Sequence, residues 1–151
     1  MNKIVPFLWF DNNAEDAANF YLSLFPAGRK LRELRCNEAG PLPIGALLTI
    51  DLDLNGQEVT FMNGGPGHPH TDAFSFTVRC KTQAEIDHYW SALTANGGAE
   101  IACGWLTDKF GLCWQIVPEH IYDYLQHPAA MRAMMAMKKM DLPTLQQATA
   151  K

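Results

Sequence analysis

Hydrophobic and polar positions alternate most sharply over Ala46–Leu54, where Leu48, Ile50, Leu52 and Leu54 share one parity and Thr49, Asp51 and Asp53 the other. A period of two is the mark of a half-buried strand. Asn55-Gly56 follows, a pair suited to a two-residue hairpin turn, and Gln57–Met62 returns as the partner strand. Upstream, Ile4–Phe10 is apolar apart from Pro6 and predicts a strand. Asp11-Asn12-Asn13 then supply turn and N-cap chemistry, with Glu15 and Asp16 favourably placed in a first helical turn. Ala14, Ala17, Ala18 and Tyr21 recur at helical spacing, Leu24 and Phe25 extend the same side, and Pro26 and Gly28 end the helix. Arg29–Cys36 predicts a strand at a sheet edge and Asn37–Pro43 a loop.

Asn63–Thr71 (NGGPGHPHT) is too rich in Gly and Pro for regular structure and reads as a linker. The pattern then restarts. Ala73–Cys80 predicts a strand, Thr82 with Glu85 a capping box, and Ile86, Tyr89, Trp90 and Leu93 a helical stripe closed by Gly97. Cys103–Pro118 (CGWLTDKFGLCWQIVP) predicts a β-hairpin around the polar turn Asp108–Gly111. In its outgoing arm Cys113, Gln115 and Val117 point one way, Trp114 and Ile116 the other. A short helix over Glu119–Gln126, a Met-rich helix over Ala129–Met140 and a last turn after Pro143 complete the chain. Met131, Met134, Met135 and Met137 are expected to pack on the protein's own body or on a second copy, because Met fills irregular gaps well.

The two halves repeat. An offset of 69 lays Phe20-Tyr21 on Tyr89-Trp90 and Leu24 on Leu93, and lays the strand ending at Phe10 on the one ending near Arg79, to within a residue. An offset of 55 lays Gly56 on Gly111, Val59 on Trp114, Thr60 on Gln115 and Phe61 on Ile116. Each half is therefore strand, helix and three strands. The expected organisation is a first βαβββ module over 1–65, a second over 66–118 and a helical tail over 119–151, one compact domain overall.

Composition narrows the function classes. Of 151 residues, 48% are hydrophobic and 19% charged, which suits a compact soluble protein. The net charge of −4, with no basic stripe, speaks against nucleic acid. Cys36, Cys80, Cys103 and Cys113 show neither CxxC spacing nor disulfide-scaffold density and are expected as reduced thiols. The opening MNKIVPFLWFD has too short an apolar run for a signal peptide, and no stretch is long enough to span a bilayer, so a cytoplasmic protein is expected.

The words PFLWFDNNAEDAANFYLSLFP, FMNGGP and CGWLTDKFGLCWQIVP, with HP and MKKMDLPTL in the tail, resemble the PhnB-like family, labelled 3-demethylubiquinone 3-methyltransferase. That family belongs to the vicinal-oxygen-chelate superfamily, home of glyoxalase I, extradiol dioxygenases and bleomycin-resistance proteins. The resemblance implies an α+β fold in which two βαβββ modules form a curled mixed-sheet cup, followed by C-terminal helices and usually completed in a homodimer. It also implies where metal-using relatives place ligands: near Val5 and Ala73 on the first strands, and at Thr60 and Gln115 on the last. Of these only Gln115 could coordinate, and weakly, so no metal is expected. Nor is an organic cofactor expected. Asn63-Gly64-Gly65-Pro66-Gly67 is the single Gly-rich run, Pro66 removes a backbone donor, and a strand rather than a helix is predicted after it, unlike a phosphate- or methyl-donor-binding turn.

The repeat and the alternation place Val5, Phe7 and Trp9, then Thr60, Met62, Cys113 and Gln115, on one inner face, with Ser75 and Thr77 from the second module. Thr49, Asp51 and Trp105 join them as candidate ligand-binding residues. Polar groups mixed with aromatics suit a small-molecule pocket, although the same residues would also serve as a barrel-like core or a dimer seam. Two functions follow. One is a module that encloses a small apolar or aromatic molecule without changing it. The other is a metal-independent enzyme with Asp51 as general base and Gln115 orienting an oxygen. His68 and His70, an H-x-H pair, are expected in a solvated loop, and His88, His120 and His127 on the surface or at caps.

Overall fold

The computed structural model describes residues 2–150, which divide into two compact units between Pro69 and His70. In the first unit β1 (Phe7–Phe10) leads into α1 (Ala14–Leu24), then β2 (Arg29–Arg35), β3 (Leu47–Leu54) and β4 (Gln57–Asn63). The second repeats the series as β5 (Ser75–Cys80), α2 (Gln83–Thr94), β6 (Ala99–Glu100), β7 (Trp105–Thr107) and β8 (Cys113–Pro118). The sheets have matching orders, β1-β4-β3-β2 and β5-β8-β7-β6. In each, the first strand runs parallel to the last and the remaining pairs are antiparallel, so both sheets are mixed and neither closes on itself.

The register locates the repeat to the residue. Phe7 pairs with Thr60 and Thr77 with Gln115, so the strands superpose at an offset of 70 rather than 69. The buried helix positions Tyr21 and Leu24 against Trp90 and Leu93 keep 69. The difference is absorbed in the turn before the helix, three residues long after Phe10 and two after Cys80. The helix restores it, since α2 has 12 residues and α1 has 11.

Each sheet buries one face under its helix. Leu8, Phe10, Ile50, Leu52, Val59 and Phe61 pack with Ala14, Ala17, Ala18 and Tyr21 in the first unit, all at most 5% exposed. Leu106, Trp114 and Ile116 pack with Ile86, Trp90 and Leu93 in the second. Asn55 (φ 51°) and Gly56 (φ 100°) form the predicted two-residue turn, with both residues left-handed as a tight hairpin requires. The second hairpin closes on Asp108 instead. That carboxylate is 2% exposed; its Oδ1 accepts from Phe110 N (2.8 Å) and Leu112 N (3.1 Å), and its Oδ2 from Trp114 Nε1 (2.8 Å).

Helix starts depart from expectation. Asn13 is the N-cap of α1 by position, but its side chain makes no cap bond. Asn63, at the end of β4, accepts from Ala14 N (2.9 Å) and donates to Leu47 O (3.1 Å), joining strand end to helix start. Thr82 caps α2 as predicted by accepting from Glu85 N, while the Glu85 carboxylate turns back to Lys81 N rather than Thr82 N.

Beyond β8 the helices are α3 (Ile121–Tyr124), α4 (Pro128–Met135) and α5 (Leu142–Thr149). The Met-rich helix stops at Met135, not Met140; Met131 and Met135 are 40% and 65% exposed, while Met134 and Met137 are half-buried. Met140 is buried and lies against Gly104. The segment before it is stitched to the second unit. Cys103 N and Gly104 N donate to Met137 O and Lys138 O (both 2.8 Å), and Gln83 bonds Met140 O and Leu142 N. Lys139 pairs with Asp87 at 2.8 Å, and that hydrogen bond, helped by Gln83, holds the Asp87 carboxyl below its ordinary range. Among the described residues no helix is long and apolar enough to cross a membrane.

Candidate functional site

Each sheet leaves one face uncovered by its helix, and the sequence-predicted site residues lie on those two faces. In the first unit, pairing sets them in two rows across the strands. Phe7, Thr60, Asp51 and Arg32 form one row; Trp9, Met62, Thr49 and Leu34 form the other. In the second unit Thr77, Gln115 and Trp105 form one row and Ser75, Cys113 and Thr107 the next. Gln115 thus points away from Trp114 and Ile116, as alternation predicts.

The polar groups on these faces already have partners. Thr60 Oγ1 donates to Asp51 Oδ1 at 2.7 Å, and Arg32 Nε pairs with Asp51 Oδ2. Arg32 also reaches Glu58 at 3.8 Å. Both oxygens of Asp51, which is 8% exposed, are therefore engaged, a poor arrangement for a general base that must receive a proton from a substrate. Gln115 Nε2 donates to Ser75 Oγ at 3.0 Å, which fixes the amide and leaves its carbonyl oxygen for another donor. Thr107 Oγ1 lies 3.8 Å from Cys113 Sγ.

Arg32 and Glu58 were not among the predicted site residues. β2 reads from its sequence as a charged edge strand, and a register irregularity between Lys30 and Arg32 decides which charge meets Asp51. A cavity of about 500 Å³ opens at that edge, lined by Arg29, Leu31, Arg32, Asp53, Gly56 and Glu58 among others. None of the predicted residues lines it. The polar β2 end and the aromatic β1 end of the face are distinct surfaces.

At the β1 end Trp9 is held by the segment after β4. Its Nε1 donates to Gly65 O at 2.8 Å, a Cβ on Gly64 would overlap its indole, and the His68 ring lies 4.3 Å away, inclined at 46°. His68 is exposed in an irregular segment, as expected, and is also a ring contact of a site residue. A glycine at position 64 is the local signal for that close approach.

The donors present do not fit a divalent metal. Val5 and Ala73 precede their strands and are not equivalent under the strand offset, Thr60 is engaged by Asp51, and Gln115, whose Nε2 bonds Ser75, offers only a neutral amide oxygen, a weak ligand. Among the described residues no group of three His, Cys, Asp or Glu side chains is arranged to hold a metal ion. All four cysteines are free. Burial, with Glu85 nearby, pushes the Cys80 thiol up from 9.0 to about 12, so it is no nucleophile. Asn63–Gly67 leads into β5 and not into a helix.

Two βαβββ units with parallel first and last strands are the architecture of the vicinal-oxygen-chelate class. The model of the 3-demethylubiquinone-9 3-methyltransferase family matches residues 2–117, and the chain belongs to that PhnB-like family. A PhnB protein of Bacillus cereus, provisionally given the same methyltransferase name, is 35% identical over 77% of this chain and 99% of its own, with a TM-score of 0.68. Protein PA1353 of Pseudomonas aeruginosa shares the fold at 19% identity (78% of this chain, 98% of that one, TM-score 0.64). The fosfomycin resistance protein FosX of Listeria monocytogenes does so at 14% (82% and 96%, TM-score 0.57). No curated protein matches the chain significantly.

Proposed function

We propose that this PhnB-like protein binds a small apolar or aromatic molecule on its uncovered sheet faces without a metal. The observation that carries the reading is the composition of the first unit's face. Phe7, 59% exposed, stands with Trp9 and Met62 beside the hydrogen-bonded Thr60–Asp51–Arg32 row. An apolar body would lie on the first group and a polar end would meet the second, the division that orients ligands in small-molecule sites. The second unit's own uncovered face, taken by itself, carries the Gln115 carbonyl oxygen as an acceptor.

The engaged carboxylate of Asp51 favours binding over base catalysis, and among the described residues the one Gly-rich run, Asn63–Gly67, leads into a strand and not into the helix that a methyl-donor-binding turn precedes. We also read the protein as a homodimer, since Phe7 and Leu34, 59% and 56% exposed on one face, leave apolar surface that a second copy would cover. Capture of metabolites on purified protein, read by mass spectrometry, tests the function. Phe7→Ser should lose the captured molecule while keeping the fold; retention of the same molecule by Phe7→Ser would remove the face from consideration. Light scattering giving a mass near 16.9 kDa would count against the dimer.

A further inference from the structure

We propose that the indole of Trp9 is an aromatic-stacking subsite and that His68 occupies it in the free protein. This rests on the binding reading above and names the ligand class: a flat aromatic ring. Trp9 lies between Leu8 and Phe10, both buried under α1, so strand alternation carries its side chain to the uncovered face beside Met62. The platform is fixed. Its Nε1–H is bonded to Gly65 O, Gly64 lies too close to the ring to carry a Cβ, and its backbone is paired to Met62 in the sheet.

The cover is not fixed in the same way. His68 is exposed and is carried by a segment with Gly65 and Gly67 both at φ 93°, each with open space where a Cβ would stand. Its imidazole lies 4.3 Å from the indole, centroid to centroid, in close contact but inclined at 46° and so neither stacked nor edge-on, which leaves a flat ring room to make a better pair. A ligand ring placed there makes that pair and buries more apolar area than an imidazole, so it displaces His68 and not Trp9. A saturated ring of equal size lacks the quadrupole match and gains less.

The test uses the full chain with 2-naphthol as probe and decahydro-2-naphthol as its saturated counterpart, followed by NMR of the His68 ring protons. In the free protein those protons are displaced by the indole ring current, and they should move to solvent-exposed positions as 2-naphthol saturates. His68→Ala should tighten 2-naphthol roughly threefold to tenfold, the equivalent of one ring pair, and should tighten the saturated alcohol by the same factor while leaving it the weaker ligand. In a Trp9→Leu background that gain should vanish. Saturation by 2-naphthol with the His68 protons unmoved, or an unchanged affinity in His68→Ala, overturns the subsite. The broader reading then survives if Phe7→Ser still weakens the probe. Failure of both alcohols to bind either protein overturns the subsite and leaves the binding reading to the metabolite capture.

Discussion

The two units share a strand order but hold it by different means. The first has a long edge strand and a long neighbour, seven residues in β2 and eight in β3, and closes its hairpin at Asn55-Gly56, where the Asp53 carboxylate accepts a single bond from Gly56 N (2.6 Å). The second has an edge strand of two residues and a neighbour of three, and closes its hairpin on the buried Asp108 carboxylate. Its short edge is tied instead to the segment before α5. The uncovered faces differ too: an Arg–Asp–Thr row in the first, neutral Ser75, Thr77 and Gln115 in the second. Topology therefore does not dictate how a sheet is secured. Both hairpins place an aspartate at the turn: where the strands are long Asp53 takes one bond, and where they are short the buried Asp108 gathers three.

The sharpest break of this contrast is Asp108→Ala, which strands three N–H donors of a closed turn. We expect a loss of about 3–5 kcal/mol in urea unfolding, since each lost bond to a charged acceptor costs about 1.5–3 kcal/mol and the losses overlap. A loss below ~1 kcal/mol would show that the second hairpin does not depend on its carboxylate.

Where the units are alike, they should fail alike. Gly28 and Gly98 follow the two helices at the strand offset, and a Cβ on either would stand 2.6 Å from a carbonyl oxygen, Asp53 O for Gly28 and Leu93 O for Gly98. Gly28→Ala and Gly98→Ala should each destabilise by about 2 kcal/mol, as overpacking against backbone does. Unequal losses would mean that one unit relaxes where the other cannot.

Cys80 stands in the second unit where Phe10 stands in the first, and it gives that unit an alkaline weakness. Its folded pKa, pushed up to about 12 from 9.0 by burial, leaves both states protonated below pH 9. Between the two values the unfolded thiol ionises while the folded one keeps its proton, so stability falls as pH rises through that window. Chemical denaturation at several pH values should show that slope, and Cys80→Ala should reduce it. An identical slope in the variant would assign the weakness to other groups.

The smallest effect is expected from Arg32→Met. Its guanidinium is about half exposed, so solvent screens the pair, and buried Asp51 keeps its Thr60 bond when Arg32 is removed; a loss of about 1 kcal/mol is expected. Loss as large as that of Asp108→Ala would erase the distinction between a face arranged for contact and a turn arranged for stability.

Much of this fold was legible because its signals are local. The parity of Leu48–Leu54, the Asn55-Gly56 turn and the face of Gln115 all follow from neighbours in sequence. The unread parts are contacts between distant residues. Asn63 caps a helix that begins at Ala14, Arg32 meets Asp51 through a register shift, and His68 returns to Trp9. Asp108 looked like an ordinary turn residue because nothing in the turn itself shows that Trp114 will bury it. The candidate faces were therefore found by periodicity, while the bonds that organise them were not.

The parallel pairing of first and last strands carries a kinetic consequence. β1 cannot add to its sheet until β4 exists, and β5 waits in the same way for β8. Each sheet is thus completed by its most remote contact, after the intervening hairpin has formed. Loop-closure entropy falls due before that pairing returns any stabilisation, which makes such closure slow. During synthesis the residues up to Pro69 hold every strand of the first sheet, so that unit can close while the second is still being made. The second unit closes only after Pro118 has emerged, and the segment that ties down its short edge emerges later still.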